Sequence, residues 1–186
     1  MGASARARLL AAADELFYDE GVHTVGIDRI IERAGVAKAS LYNTFGSKDE
    51  LIRAYLESRH ARTAVRISAA IEERTSPRDR LLAVFEAQAA LFDDPAFHGC
   101  AFASASAEAR PGSAAAQMTD VYRSWLRALF TDLGAKAGAR EPEALARQLH
   151  LIYDGVGLSA RMDHDPTVPT AARAAATALL DTAVRG

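Results

Sequence analysis

Apolar residues recur along this chain at spacings of three and four, and no stretch of five residues alternates apolar and polar positions as a half-buried strand would. The clearest run extends from Met118 to Leu133, where steps of three and four follow each other without a break. The pattern predicts an all-α protein. Other runs of the same kind cover residues 9–17, 81–92, 145–156 and 168–183.

The first 45 residues divide into three short helical segments. The first segment ends at Gly21, a residue that commonly stops a helix. The second lies between Gly26 as its N-cap and Gly35 as its C-cap. The third covers about two turns, from 38 to 45, and Gly46 closes it.

A fourth, longer helix is expected to begin after Ser47. Ser47 and Glu50 have the S-x-x-E spacing of a capping box, and the helix can continue to about Arg74, before the proline at 77. Longer and more apolar segments follow, separated by turns rich in Pro, Gly and Asp, with a short helix in 98–109. We therefore expect a three-helix domain at 1–47, joined by a long helix to a helical bundle within 48–186.

Composition restricts the possible functions. The formal net charge of the 186 residues is −2, so any contact with nucleic acid needs a local positive patch. The single cysteine, Cys100, excludes an internal disulfide and a cysteine-based metal cluster. No apolar run reaches the roughly 18 residues of a membrane span, and the N-terminal segment has a helical period with acids. These features predict a soluble, cytoplasmic protein.

Residues 27–45 have the spacing of a helix-turn-helix, which is two short helices joined by a tight turn with a glycine. One side of the pair carries the apolar residues that would hold it together, while the other side of the second helix carries short polar groups. No acidic residue occurs between Arg33 and Lys48. From the residues alone, a DNA-reading helix and a plain αα-hairpin both remain open.

The polar side of this second helix has the chemistry that DNA contacts require. Asn43 can pair with adenine, and Ser40 or Thr44 can bond to a base or a phosphate. The phenol of Tyr42 can reach a phosphate, and two lysines, Lys38 and Lys48, bracket the helix with positive charge.

The stretch IDRIIERAGVAKASLYNTFGSKDELIRAYL strongly resembles the DNA-binding segment of the TetR family of transcriptional regulators. A glycine turn, an LY pair, an aromatic and then SK followed by acids occur there in this order, and the resemblance covers about the first sixty residues. One departure is Ala37, where the family often has Ser or Thr, so an N-cap bond worth roughly 1 kcal/mol is missing. The resemblance implies phosphate contacts by Tyr42 and Lys48 and groove-facing side chains at Lys38, Ser40, Asn43 and Thr44.

A looser resemblance to the C-terminal domains of this family lies in GCAFASASAEA, from Gly99 to Ala109. It implies a small-molecule pocket in the bundle and a homodimer interface on the last two helices. Their alanine-rich faces, with Gly155 and Gly157, would let two subunits pack closely. The pocket candidates are Phe85, Gln88, Phe92, Phe102, Tyr122, Trp125 and Tyr153.

Each aromatic candidate also fits a plain core position, whereas Gln88 is more informative. An amide in an apolar stripe needs a hydrogen-bond partner, which a ligand or a neighbouring tyrosine could supply. Cys100 is either a redox sensor or a core residue. Asp163, His164 and Asp165 form either a metal site or a solvated loop.

These observations predict a ligand-responsive repressor that acts as a homodimer on a near-palindromic site in double-stranded DNA. We expect no cofactor, no metal and no membrane contact, and no recognisable catalytic motif is present in the sequence. Two alternatives stay open: an enzyme or ligand carrier whose N-terminal helices cap the bundle, and a partner-binding bundle without a small ligand.

Overall fold

A computed structural model describes residues 3–107 and 109–185. This part of the chain contains α-helices and no strand, so the all-α prediction is confirmed. The helices are α1 (Ala5–Glu20), α2 (Ile27–Ala34), α3 (Lys38–Phe45), α4 (Lys48–Glu72), α5 (Pro77–Ala89), α6 (Ala101–Ser106), α7 (Ala114–Lys136), α8 (Pro142–Asp163) and α9 (Val168–Arg185).

The ends of the first three helices follow the glycines. Gly26 is the N-cap of α2, and Gly35 ends it in the left-handed conformation with φ 62°. In that conformation the Gly35 N–H donates to the Glu32 carbonyl at 3.1 Å, and the next N–H donates to Ile31 at 3.2 Å. A side chain at Gly35 would strain this backbone, so the glycine sets the turn between α2 and α3.

The capping box of α4 is half formed. The Ser47 hydroxyl accepts a hydrogen bond from the Glu50 N–H at 3.1 Å, which starts α4 at the predicted place. The Glu50 carboxylate accepts instead from Arg53 Nε at 3.1 Å. At the start of α3, Ala37 makes no side-chain cap bond, because its methyl side chain has no hydrogen-bond acceptor.

One prediction of helix extent is wrong. The apolar spacing predicts that α5 extends to Phe92, but the helix ends at Ala89 and Phe92 lies in the following turn. Asp94 precedes a proline, which disfavours helical backbone, and its carboxylate accepts from the Ala96 N–H at 2.9 Å. This local turn stops the apolar spacing from continuing as a helix.

The chain divides into two compact units, and the first contains residues 1–61 and 100–121. In it α1 packs against α2 and α3, and the Phe17 and Tyr55 rings meet edge to face with centroids 5.5 Å apart. Arg59 on α4 donates to the Asp14 carboxylate at 2.8 Å, and its guanidinium lies 3.7 Å from the Tyr18 ring centroid. These contacts fix α4 against α1.

The second unit contains residues 62–99 and 122–186. Its core is formed by α5, α8, α9 and the C-terminal part of α7, and α9 packs against both α8 and α5. Ala172 and Ala176 are buried on α9, where small side chains let helices approach closely. The boundary predicted between residues 47 and 48 stays a prediction, because these units are defined by contacts alone.

Every helix within 3–107 and 109–185 is too short or too polar to span a lipid bilayer.

Candidate nucleic-acid interface and bundle interior

Helix α3 has one buried side and one exposed polar side. Leu41 is fully buried against the rest of the first unit. Tyr42, Asn43 and Thr44 are exposed, and Ser40 is half-buried. The polar side chains that were predicted to face the DNA groove are therefore accessible in the structure. We call this exposed side of residues 38–45 the α3 face.

A hydroxyl on the α3 face is engaged by its own helix. Thr44 Oγ1 donates to the Ser40 carbonyl, one turn earlier, at 2.6 Å. This bond fixes the Thr44 rotamer, and the hydroxyl oxygen can still accept a hydrogen bond from a base amine. Thr44 thus presents an acceptor to the outside.

Lys38, the first residue of α3, is paired with an acid on α2. Its Nζ lies 2.9 Å from Asp28 Oδ1, and both side chains are exposed. The hydrogen bond from Lys38 to Asp28 raises the pKa of the lysine. Asp28 lies in the first turn of α2, where a negative charge also interacts favourably with the helix dipole.

Lys48, the first residue of α4, lies just beyond the other end of α3. Its Nζ is 5.9 Å from the centroid of the Phe17 ring, and burial lowers its pKa. No carboxylate in the described part of the chain pairs with Lys48. An attraction between the ammonium and the ring holds the charge at this end of the helix.

Sequence reasoning missed Arg6, which contacts the last residue of α3. The Arg6 guanidinium carbon lies 5.4 Å from the Phe45 ring centroid, and Arg6 is exposed. Within the described residues Arg6 has no carboxylate partner. No local signal marks it, because residues 6 and 45 meet only through the packing of α1 on α3.

The two arginines of α2 are neutralised by acids of α1. Arg29 Nη2 donates to Glu20 at 2.8 Å, and Arg33 Nε donates to Glu15 at 3.0 Å. Their charge is thus largely satisfied within the unit, and the pairs tie α2 to α1.

Within the second unit, three aromatic rings form a compact group around Phe85. Its centroid lies 5.7 Å from that of Phe130 and 6.1 Å from that of Tyr153, and the latter two are 6.1 Å apart. All three residues are buried. The structure thus brings together two of the predicted pocket residues, Phe85 and Tyr153.

Gln88 lies one turn beyond Phe85 and is 7% exposed. Its Nε2 donates to the backbone carbonyl of Tyr153 at 2.9 Å, so the predicted partner is the tyrosine's main chain. A Cβ at residue 157 would lie 3.2 Å from Nε2, so Gly157 gives the amide room to approach α8. The other amide atom, Gln88 Oε1, is buried without a hydrogen-bond partner.

Two of the remaining pocket candidates, Phe92 and Trp125, pack against the same core as Phe85 and Tyr153, and each also belongs to a further pair of rings. Phe92 packs on Phe97 with centroids 5.0 Å apart, and Tyr122 packs on Trp125 at 5.8 Å. Phe102 belongs to the first unit, where its ring meets His60 at 6.5 Å and its carbonyl accepts from Thr119 at 3.4 Å. A ligand role for each of these residues stays a prediction.

A second polar group is buried on α8. His150 is 2% exposed, and its Nε2 lies 3.6 Å from Asp154 Oδ1, beyond hydrogen-bond range. Asp154 Oδ2 accepts from Arg123 at 2.7 Å. Burial lowers the pKa of His150, with Arg123 and Arg127 acting in the same direction and Asp154 against it.

The acidic loop after α8 is exposed and is used as a turn. Asp165 Oδ1 accepts from the Thr167 N–H at 2.8 Å and its hydroxyl at 2.7 Å, which lowers the Asp165 pKa. His164 ends α8 with φ 51°. Across 3–107 and 109–185, no three His, Cys, Asp or Glu side chains come together as metal ligands.

Helix α8 exposes an apolar stripe. Leu151, Leu158 and Met162 follow each other at spacings of seven and four, which places them on one side of the helix, and all three are exposed. Gly155 lies on the same side, and a Cβ there would meet nothing within 4 Å. The stripe of 151, 155, 158 and 162 is hereafter the α8 stripe.

The three-helix unit with the exposed α3 face defines a helix-turn-helix DNA-binding protein. Residues 9–55 match the family described as bacterial regulatory proteins of the tetR family. The structure resembles that of a TetR-family transcriptional regulator from Streptomyces coelicolor, with 33% identity and a TM-score of 0.89, over 97% of this chain and 96% of that one. The structure of a transcriptional regulator from Streptomyces avermitilis is similar as well, with 35% identity and a TM-score of 0.83, over 97% of this chain and 98% of that one.

The chain belongs to the TetR family, and it is a DNA-binding transcriptional regulator, not an enzyme. The transcriptional activator FasR of Mycolicibacterium smegmatis is 46% identical over 83 residues, which are 44% of this chain and 37% of FasR. The match therefore spans little more than a third of that relative.

Proposed function

We propose that this regulator is a homodimeric, cytoplasmic repressor that binds a near-palindromic operator and is released from it by a small molecule. The observation that carries the proposal is the α3 face, uncovered and polar, with a lysine at its start and unpaired cations at its end. A helix of this kind can enter the major groove because its short side chains keep the backbone close to the bases.

Within the groove, Asn43, Ser40 and Thr44 would contact base edges. Asn43 is exposed and can pair bidentately with adenine, while the Thr44 oxygen can accept from a base amine. Tyr42, Lys48 and Arg6 would contact phosphates on the groove walls. Phosphate contacts orient the helix and base contacts select the sequence, so the two sets have separable effects.

The α8 stripe supports dimerisation. Leu158 is 59% exposed, and Leu151 and Met162 are more exposed still. Exposed apolar residues in a continuous row are typical of an interface, and the open surroundings of Gly155 would admit a helix of a second subunit. Two subunits related by a twofold axis would place their α3 helices about one helical turn of DNA apart, roughly 34 to 36 Å.

The interior of the second unit supports ligand binding. Gln88 Oε1 is a buried acceptor without a partner, and the Nε2 of the same amide bonds to the main chain of Tyr153, whose ring meets that of Phe85. Leaving such a group unpaired costs about 1–3 kcal/mol, and a ligand that donates one hydrogen bond would recover part of it. A ligand can release DNA only if it binds the DNA-free conformation more tightly.

The test is selection of bound sequences from random duplexes, followed by footprinting and transcription in vitro. We expect two protected half-sites about one turn apart, and reduced transcription when the site overlaps a promoter. FasR is an activator, so increased transcription is the contrasting outcome, and it would refute the repressor role. A single unpaired half-site would refute binding as a twofold dimer.

A further inference from the structure

The ion pair between Lys38 and Asp28 joins the α3 face to the helix before it. Lys38 Nζ and Asp28 Oδ1 are 2.9 Å apart, and the side chains are 55% and 80% exposed. Arg6 and Lys48, at the far end of α3, contact aromatic rings instead of acids. The two ends of the helix therefore differ: positive charge is unpaired at the C-terminal end and neutralised at the N-terminal end.

We propose that Asp28 is a specificity-determining residue, which withholds Lys38 from the phosphates of DNA that lacks the operator sequence. The inference rests on the proposed docking of the α3 face in the major groove. While Lys38 stays with Asp28, it neutralises no phosphate and releases no counterion from the DNA. Non-specific binding, which depends almost wholly on such release, is then weakened at this end of the helix.

The exposure of the pair makes the exchange possible. An ion pair in contact with solvent is weak and is screened by salt, so a phosphate held next to Lys38 can displace the carboxylate. On the operator, base contacts from Asn43 and its neighbours hold the duplex in a single register, and a phosphate stays beside Lys38. On other sequences no register is favoured, so Lys38 stays paired with Asp28 for a larger fraction of the time than on the operator.

The opposite role for Asp28 would be to orient Lys38 for its DNA contact. The two roles predict changes of opposite sign. If Asp28 withholds Lys38, then Asp28→Asn strengthens non-specific binding. If Asp28 orients Lys38, the same substitution weakens binding to the operator.

The experiment measures affinity by fluorescence anisotropy for two duplexes of about three helical turns, one random and one carrying the selected operator. For Asp28→Asn we expect roughly 3- to 10-fold tighter binding to the random duplex and less than a 2-fold change on the operator. The slope of log K against log salt for the random duplex should become steeper by about one per subunit.

Asp132→Asn is the matched control. Asp132 forms an exposed pair with Lys136 at 2.7 Å on α7, so the variant makes the same charge change in the other unit. We expect it to leave the ratio of operator to random affinity at the parent's value. Asp28→Ser serves as a second variant, and circular dichroism checks that each variant is folded.

A Lys38→Ala background separates withholding of Lys38 from a general loss of negative charge. Removing Asp28 relieves some repulsion of phosphates in any background, but the contribution of Lys38 disappears with the lysine. In the Lys38→Ala background, we expect the increase in affinity for the random duplex caused by Asp28→Asn to fall by at least half. An equal gain in both backgrounds, no gain, or weaker operator binding would overturn the proposal. A changed selected sequence for Asn43→Ala would show that α3 docking itself still stands.

Discussion

The guanidinium carbon of Arg6 lies 5.4 Å from the centroid of the Phe45 ring, so the start of α1 meets the end of α3. This contact places an exposed cation beside the last turn of the α3 face. Lys48 lies just after that turn, anchored over Phe17. The two cations flank the point where a groove-docked α3 would approach the phosphate backbone.

Arg6→Ala should weaken binding to every duplex by a similar factor. The salt slope should flatten by about 0.9 per subunit, because one phosphate contact is lost from each. Anisotropy titrations at about 50 to 200 mM salt measure this. Arg140→Ala is the control, because it removes the same charge from an exposed position in the second unit. Equal slopes for the two variants would show that Arg6 makes no phosphate contact.

Lys48→Ala and Asn43→Ala should separate affinity from sequence preference. Loss of the Lys48 charge should weaken binding to the operator and to random duplexes alike. The slope of log K against log salt should again be flatter by about one per subunit. Loss of the Asn43 amide relaxes the preference at one base pair in each half-site by about 1–3 kcal/mol. Selection from random duplexes reports the preference. The α3 assignment is wrong if both variants keep the parent's affinity and its selected sequence.

Gln88→Met should stabilise the ligand-free protein by about 1 kcal/mol, because the buried oxygen without a partner is removed. The Tyr153 carbonyl loses the Gln88 donor, but it lies within α8 and keeps its place in the helix ladder. Gln88→Glu should act in the opposite direction, because it places an ionisable carboxylate beside that carbonyl. Urea unfolding at one fixed protein concentration measures both. A destabilised Met variant would mean that the amide is structural.

The same variant tests the chemistry of the ligand. Phenol and toluene are matched probes, because they differ chiefly in the presence of one hydrogen-bond donor. Thermal-shift titrations should show that the parent prefers phenol and that Gln88→Met loses this preference. An unchanged preference would exclude Gln88 Oε1 as the acceptor, without bearing on DNA binding.

Leu158→Glu should convert the proposed dimer to monomers at micromolar concentration while the subunit stays folded. The substitution puts a charge into the centre of the α8 stripe, where desolvating it in an interface is costly. Sedimentation measures the mass, and circular dichroism measures the helix content. Val65→Glu is the control, because Val65 is also exposed, on α4, but lies outside the stripe. A Leu158→Glu dimer as tight as the parent's would place the interface elsewhere.

His150 should make the protein less stable as the pH falls below about 6.5. Burial lowers its pKa in the folded state, so between the folded and unfolded pKa values the unfolded chain binds more protons. The stability is fully present above the unfolded value and is lost as the pH falls towards the folded one. Melting temperatures from about pH 5 to 8 should show a steeper fall for the parent than for His150→Gln. Parallel curves would contradict a neutral, buried His150.

The helices, their order and the α3 face could be predicted from local patterns in the sequence. Gly26, Gly35 and Gly46 end or begin helices through backbone conformations that are local, and Ser47 starts α4 with its own hydroxyl. The polar side of α3 could be predicted because the residues that form it lie within two helical turns of each other in the sequence. Helical spacing and capping depend on neighbours in the chain, which is why these features are visible without coordinates.

The partners of the charges and polar atoms could not be predicted in this way and became visible only in the folded chain. The contacts of Arg6 with Phe45, of Lys38 with Asp28 and of Gln88 with Tyr153 join residues on different helices, and no spacing rule connects them. The tertiary structure likewise placed Phe102 in the first unit, where its ring meets that of His60. Such partners are chosen by how whole helices pack, a balance of many weak contacts that no local segment contains.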